Sequence, residues 1–200
     1  SEGLPIAGEI HPSAGATAPF SLSGTNVLNL AENLFLLIIA QTLRPGTPVI
    51  MQFAPVIMNM QIGKLIQYSL ETALFSWSAG EIGRYYGIPT WAVGGGTQVA
   101  QFDVQNGIEN MLMAFSGLTS GVNMLSSIGS NTGGRGVSAE QILIDHDLIE
   151  VCCRLKQGIK VDEEHLAFDS IKRVGPGGNF FTDNLTLQLL KLSLIHISEP

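Results

Sequence analysis

The chain has 200 residues, 45% of them hydrophobic and only 14% charged, against a usual charged share of about 25%. A chain this apolar buries enough surface to offset its ordering entropy, which excludes disorder, and its length fits a single domain. The net charge of −7, with 10 basic residues against 17 acidic, offers no basic face to a nucleic-acid backbone.

The first residues, Ser1-Glu2-Gly3, contain neither an initiator Met nor a signal peptide, so the true start is expected upstream. In chain order, short β-type runs at 5–10, 48–53, 89–93 and 121–127 each follow a glycine-containing turn and precede a longer helical pattern. Residues 26–43 carry Leu28, Ala31, Phe35, Ile38, Ile39 and Thr42 at helical spacing and stop at Arg44-Pro45-Gly46. Residues 66–86 set Leu70, Leu74, Trp77 and Ile82 on one side and close at Gly87. Helices are also expected over 104–119 and 138–157, the latter opening as Ser138-Ala139-Glu140-Gln141 with capping-box spacing, and an acidic helix over 162–172.

The longest uninterrupted apolar run, 34–40, is far short of the roughly 20 residues that span a bilayer, so no membrane span is expected. Adjacent Cys152 and Cys153 would form a strained disulfide that closes no loop, which fits a reducing cytoplasm. Residues 192–200 read as the translation of a sequencing-library adapter. Residues 1–191 are therefore taken as the native fragment of one domain, and His196 is given no role.

Strands alternating with long helices imply βαβ units and a parallel sheet, either open and doubly wound or part of a closed (β/α)8 barrel. Gly94-Gly95-Gly96-Thr97-Gln98-Val99 matches only the first two positions of a dinucleotide fingerprint, a weak signal. The barrel explains why the loops after the strands are the glycine-rich, polar ones. With four to five β/α units, the chain is a partial barrel, expected to expose sheet edges and to aggregate when expressed alone.

The residues of these loops resemble the trimethylamine methyltransferase (MttB-like) superfamily. The likeness runs through Gly15-Ala16-Thr17-Ala18-Pro19, Leu22-Ser23-Gly24, Ala31-Glu32, Ser69-Leu70-Glu71, Gly94-Gly95-Gly96-Thr97, Asp103-Val104-Gln105, Gly107 and Glu109. It continues in Ser138-Ala139-Glu140-Gln141, Asp145 and Val174-Gly175-Pro176-Gly177-Gly178-Asn179-Phe180. The resemblance implies a (β/α)8 barrel that moves a methyl group from a methylated amine to the cobalt of a corrinoid carried by a separate protein. It implies no corrinoid bound directly and a homo-oligomeric parent. In the trimethylamine enzymes pyrrolysine stands at the position matched here by Gly96, so the chain resembles the non-pyrrolysine branch, similar to glycine betaine:corrinoid methyltransferases. Gln98 and Ala100 replace the Asp and Lys common in that loop, and Thr132 stands where relatives often carry Glu.

Co(I) is itself a strong nucleophile, so such a protein must hold a C–N bond in line and exclude water. A quaternary ammonium leaves as a neutral amine and needs no proton; it is recognised by aromatic faces and carboxylates. Phe53 and Phe102 are the aromatic candidates, with core packing as the alternative, and Trp91 ranks below them. Asp103 and Glu109, bracketing a helix start, are the catalytic candidates, and Asp103 also suits an N-terminal charge partner. Gly94, Gly95 and Gly96 allow close backbone approach or supply positive φ. Gln98 and Gln105 are amide donors, and Arg135 suits a substrate carboxylate or is a solvated loop arginine.

His11 lies on the expected active face or serves a turn, whereas His146 and His165 read as surface residues. Neither a metal-ligand spacing nor a Ser-His-Asp set is present. Gly175-Pro176-Gly177-Gly178 reads as a structural turn or partner-docking loop. The rival functional reading is a non-catalytic barrel module that binds quaternary ammonium. A third, a nucleotide-binding doubly wound domain, would need a phosphate site at 94–97.

Overall fold

The structure is a computed structural model that describes residues 4–194. It divides into two compact units, Ser1–Lys156 and Gln157–Pro200.

The first unit begins with two short strands, β1 (Ile6–Ala7) and β2 (Ser13–Ala14), then α1 (Leu22–Leu43). Strand β3 (Val49–Phe53) is followed by a hairpin, β4 (Val56–Asn59) and β5 (Lys64–Ile66), before α2 (Leu70–Tyr86). Next come β6 (Thr90–Val93), α3 (Val104–Ser120), β7 (Met124–Ser126), a second hairpin of β8 (Ser130–Asn131) and β9 (Gly136–Val137), and α4 (Ala139–Gln157). The four sequence-derived strands are β1, β3, β6 and β7, all shorter than expected. The helix expected from residue 66 starts at Leu70, because Ile66 pairs with Ile57 in the β4–β5 hairpin.

Local chemistry fixes the helix ends. Ser21, Ser69 and Asp103 accept from the backbone N–H of Gly24, Thr72 and Asn106, satisfying orphan donors of α1, α2 and α3. Gly87 and Gly121 close α2 and α3 in the left-handed region, at φ 64° and 86°. Only half of the expected capping box forms. The Ser138 hydroxyl accepts from Gln141 N at 3.1 Å, while the Gln141 amide points instead to Asp145.

The main sheet has the order β1-β3-β6-β7, every pair parallel. One long helix separates each strand from the next, so spatial order repeats chain order. Right-handed connections in that order put the helices on one face, giving a curled sheet with a helical jacket. An order that never reverses has no topological switch point, which removes the doubly wound reading. Met51, Phe53 and Ala92 face the jacket and pack with Ala79, Leu30, Leu34, Leu37 and Ile82. By strand alternation Gln52 and its register partner Trp91 face the other way.

The fully buried positions of the helices are mostly small or polar, with Phe75 of α2 and Met113 of α3 the large apolar exceptions. α1 buries Thr25, Asn29, Asn33 and Ala40; Asn33 is bonded through its amide to Gln52 O at 2.8 Å and Gln52 N at 2.9 Å. Phe35, Ile38 and Leu43, the first two from the stripe at helical spacing, are 65%, 62% and 81% exposed. The stripe marks the outer face. With 22 residues, α1 is also apolar and long enough, by length and composition, to cross a bilayer, which a count of uninterrupted apolar residues does not register.

The second unit holds α5 (Glu163–Leu166), α6 (Phe168–Val174) and α7 (Asn184–Leu194). The single acidic helix expected over 162–172 is broken at Ala167, whose φ of 55° interrupts the helical run. Gly175 donates to Ile171 O at 3.0 Å and ends α6, the turn role read from its sequence. The expected adapter tail, 192–200, lies from residue 195 outside the described residues.

Candidate functional site

Parallel strands place all their following loops at one end of the sheet. There the segment 94–103, the β4–β5 hairpin and the β8–β9 hairpin meet. Thr97 N donates to Ser130 O at 3.2 Å, Gly133 N to Thr97 O at 2.9 Å and Thr132 N to Val99 O at 3.1 Å, lacing the loops after β6 and β7 together.

Glu109, in the second turn of α3, is the charged centre of this end. Its Oε2 accepts from the Thr97 hydroxyl at 2.6 Å and from Gln98 N at 2.7 Å, and its Oε1 accepts from the Gln105 amide at 2.7 Å. Glu109, Gln98 and Gln105 line one open groove of about 470 Å³, together with Tyr68, Ser69, Lys64 and apolar side chains that include Leu65, Leu70, Ile108 and Leu112. Three of the ten sequence candidates are therefore brought together. The Gln98 carboxamide, oriented to satisfy its neighbours, accepts from Gln67 N and from Tyr68 N at 3.0 Å, so it also ties the start of α2 to this loop.

Behind the groove runs a buried chain of carboxamides. Asn110 Oδ1 accepts from Gly96 N at 2.7 Å, and the Asn110 amide donates to Asn106 Oδ1 at 3.0 Å. The Asn106 amide donates to Gln141 Oε1 at 2.8 Å, and the Gln141 amide to Asp145 Oδ1 at 2.7 Å. Asp145 Oδ2 then accepts from Gly129 N at 2.7 Å. Burial raises the Asp145 pKa above the ordinary carboxylate value, opposed by its bonds from Gly129 and Gln141. The chain holds the loops after β6 and β7 from beneath.

The three glycines are buried, and protein occupies the space a side chain would need. A Cβ at Gly94 would lie 2.6 Å from Leu125, one at Gly95 3.0 Å from Asp145, and one at Gly96 2.3 Å from the Tyr68 ring. Of the three only Gly96 has a positive φ, 108°. They serve internal packing, not close approach of a ligand. A phosphate cradle at 94–97 is also unavailable, since the N–H groups of Gly94, Gly96 and Thr97 are already bonded to Ser126, Asn110 and Ser130.

The other candidates lie apart from the groove. Phe53 is completely buried in the sheet–helix core, the packing alternative. Phe102 is 55% exposed and outside the groove lining. Asp103 is spent as the N-cap of α3, its Oδ1 accepting from Asn106 N at 2.9 Å. Arg135 is exposed at the β8–β9 turn, its Nε donating to Thr132 O at 3.2 Å. His11 contacts Ala54 O through Nδ1 at 2.9 Å and the Gln52 amide through Nε2 at 3.1 Å.

Tyr68, Asn110 and the Asn106–Gln141–Asp145 chain were missed as site residues. The signal for the amides was present: Asn106/Asn110 and Gln141/Asp145 are polar pairs four apart on helices, a spacing that sets both on one face. Tyr68 gives no such signal, because its hydroxyl partner Ser130 is 62 residues away.

Residues 10–192 match the family described as Trimethylamine methyltransferase (MTTB). The chain belongs to this family. It is 36% identical over 174 residues to a glycine betaine methyltransferase of Desulfitobacterium hafniense (strain Y51), covering 86% of this chain and 36% of that protein. It is 32% identical over 188 residues to trimethylamine methyltransferase MttB1 of Methanosarcina acetivorans, covering 94% of this chain and 38% of the relative. The MttB of Methanosarcina thermophila is 30% identical over 188 residues, with 94% and 39% covered. The chain thus spans well under half the length of these relatives.

Proposed function

We propose that this chain is part of a (β/α)8-barrel methyltransferase that takes a methyl group from a methylated amine, a quaternary ammonium such as a betaine, and passes it to a corrinoid on a separate protein. Family membership supports the reaction class, and the parallel, unreversed sheet supports the barrel. The observation that carries the site is the Glu109 carboxylate in a groove of mixed lining, beside Gln98, Gln105 and Tyr68 and facing apolar side chains that include Leu65, Leu70, Ile108 and Leu112.

When bound at its own protein, the Co(I) corrinoid supplies the nucleophile. In this reading the cobalt is carried by that separate protein. This chain's residues have the remaining tasks. Glu109, held by three donors, offers fixed negative charge to the ammonium, and the apolar side chains of the lining offer contact to its methyl groups. The electron pair of the broken C–N bond leaves with nitrogen, so a quaternary ammonium departs as a neutral tertiary amine. No proton donor is then required. Gly96, backed by the Tyr68 ring, has no room for a side chain that would activate a neutral amine covalently, which favours a substrate already charged.

Calorimetric titration of the complete protein that contains this chain with glycine betaine and tetramethylammonium tests the site. Binding is expected, and Glu109→Gln should weaken it about tenfold through loss of a charge-assisted contact. Equal binding by parent and variant would overturn the assignment of Glu109. No binding by the parent would overturn the groove as the amine site.

A further inference from the structure

Tyr68 is among the most buried residues of the chain, 2% exposed, yet it lines the groove beside Gln98 and Glu109. Its ring lies between the groove and the glycine loop, close enough that a Cβ on Gly96 would meet Cε1 at 2.3 Å and Cζ at 2.4 Å. Its hydroxyl donates to Ser130 Oγ at 2.7 Å, on the loop after β7. Burial pushes the phenol pKa up, so the group stays a neutral donor. Ala54, Ala73, Val93 and Met113 pack around the same ring. The ring is thus anchored at its tip, packed on its sides, and free of any hydrogen-bonding duty toward Glu109.

Side chains with this combination of features act as walls. The groove has a polar floor at Glu109, Gln98 and Gln105, but its depth toward Gly96 and Ser130 is set by one aromatic ring. Truncating that ring would join the groove to the volume in front of Gly96, which has no side chain of its own to refill it. Interiors relax only partly around such a deletion, so the space persists.

We propose that Tyr68 is the specificity-determining residue of the groove, its ring fixing the largest cationic head group that can reach Glu109. This rests on the amine reading of the groove given above. It predicts discrimination by size rather than by charge, since truncation leaves Glu109 and its three donors in place.

The test is calorimetric titration of the complete protein that contains this chain, and of its Tyr68→Phe, Tyr68→Leu and Tyr68→Ala variants, with tetramethylammonium and tetrapropylammonium, each variant first checked for native circular dichroism. The parent should favour tetramethylammonium by about tenfold or more, the scale on which a pocket discriminates added methylenes. Tyr68→Phe should keep this preference, because the ring remains. Tyr68→Ala should lose most of it by gaining affinity for the larger ion, and Tyr68→Leu should give the same reading if the alanine variant fails to fold. Unchanged preference in the truncated variants would overturn the wall, as would its loss in Tyr68→Phe, which would place the determinant in the hydroxyl. Failure of the unsubstituted parent to bind either ion would instead strike the amine reading, on which this inference depends.

Discussion

The inner and outer faces of the helical jacket differ in side-chain size: the most buried positions are mostly small or polar, while many large apolar side chains lie exposed on the outside. The inner face of α2 presents Thr72, Ala73, Phe75, Ser76, Ala79, Gly80 and Gly83, whereas its outer face presents Leu70, Leu74 and Trp77. α1 does the same, with Asn29 and Asn33 inside and Phe35 and Ile38 outside. Small residues let helix and sheet backbones approach closely, and buried amides then bond to backbone. The outer faces are left with large apolar groups and little to pack on. Apolar periodicity therefore identifies a helix face but not which way it points.

The sharpest break of this contrast is Gly80→Ala. A Cβ there would lie 1.8 Å from the Ser120 carbonyl oxygen, a backbone atom at the α2–α3 crossing that cannot swing aside. The cost should be about 3 kcal/mol or more, at the top of the overpacking range, read as a lowered urea midpoint. Next is Asp145→Ala, which strands the Gly129 N–H and the Gln141 amide in a buried site. A loss of about 2–4 kcal/mol is expected, with hydrogen exchange at Gly129 N accelerated.

A smaller effect separates two buried acids by sign. Asp145 has its pKa raised by burial, so the native state holds its proton more tightly and stability from this group falls as pH climbs above the ordinary carboxylate value. Asp183, in the second unit, has its pKa lowered by Arg173, then Ser170; its contribution is present above the ordinary value and lost as pH falls toward the depressed one. Measured between about pH 3 and 6, the range on either side of a free carboxylate's pKa, Asp145→Asn should gain on the parent as pH rises, while Asp183→Asn should lose ground. The smallest effect belongs to the outer face: Ile38→Lys should leave stability within about 0.5 kcal/mol and raise solubility, both measurable on the purified chain. A large loss there would show that the outer stripe is covered after all.

The sheet was legible because Pro48, Pro89 and Gly121 punctuate the strands and Gly87 ends a helix through its backbone geometry. The β4–β5 hairpin was not, since Ile66 continues an apolar spacing that α2 also satisfies. In the site, Glu109, Gln98 and Gln105 could be chosen by type and by loop position. Phe53 could not be sorted from sequence, because one residue of register decides whether a strand side chain enters the core or leaves it. Asp103 illustrates a second limit. A carboxylate at a helix start serves capping and chemistry with the same residue, and only the bond to Asn106 N tells which. Tyr68 and Asp145 depend on contacts across distant segments, which no local pattern records.

The unreversed strand order has a kinetic consequence. Partners across the sheet are 43 residues apart at Ile6 and Val49, 39 at Met51 and Thr90, and 33 at Trp91 and Met124. Each pairing closes a loop of similar length, so each bears a similar entropic cost, and none waits for a strand beyond the next helix. A chain leaving the ribosome can therefore add one strand and one helix at a time from the N-terminal end, each new unit finding its template already laid down.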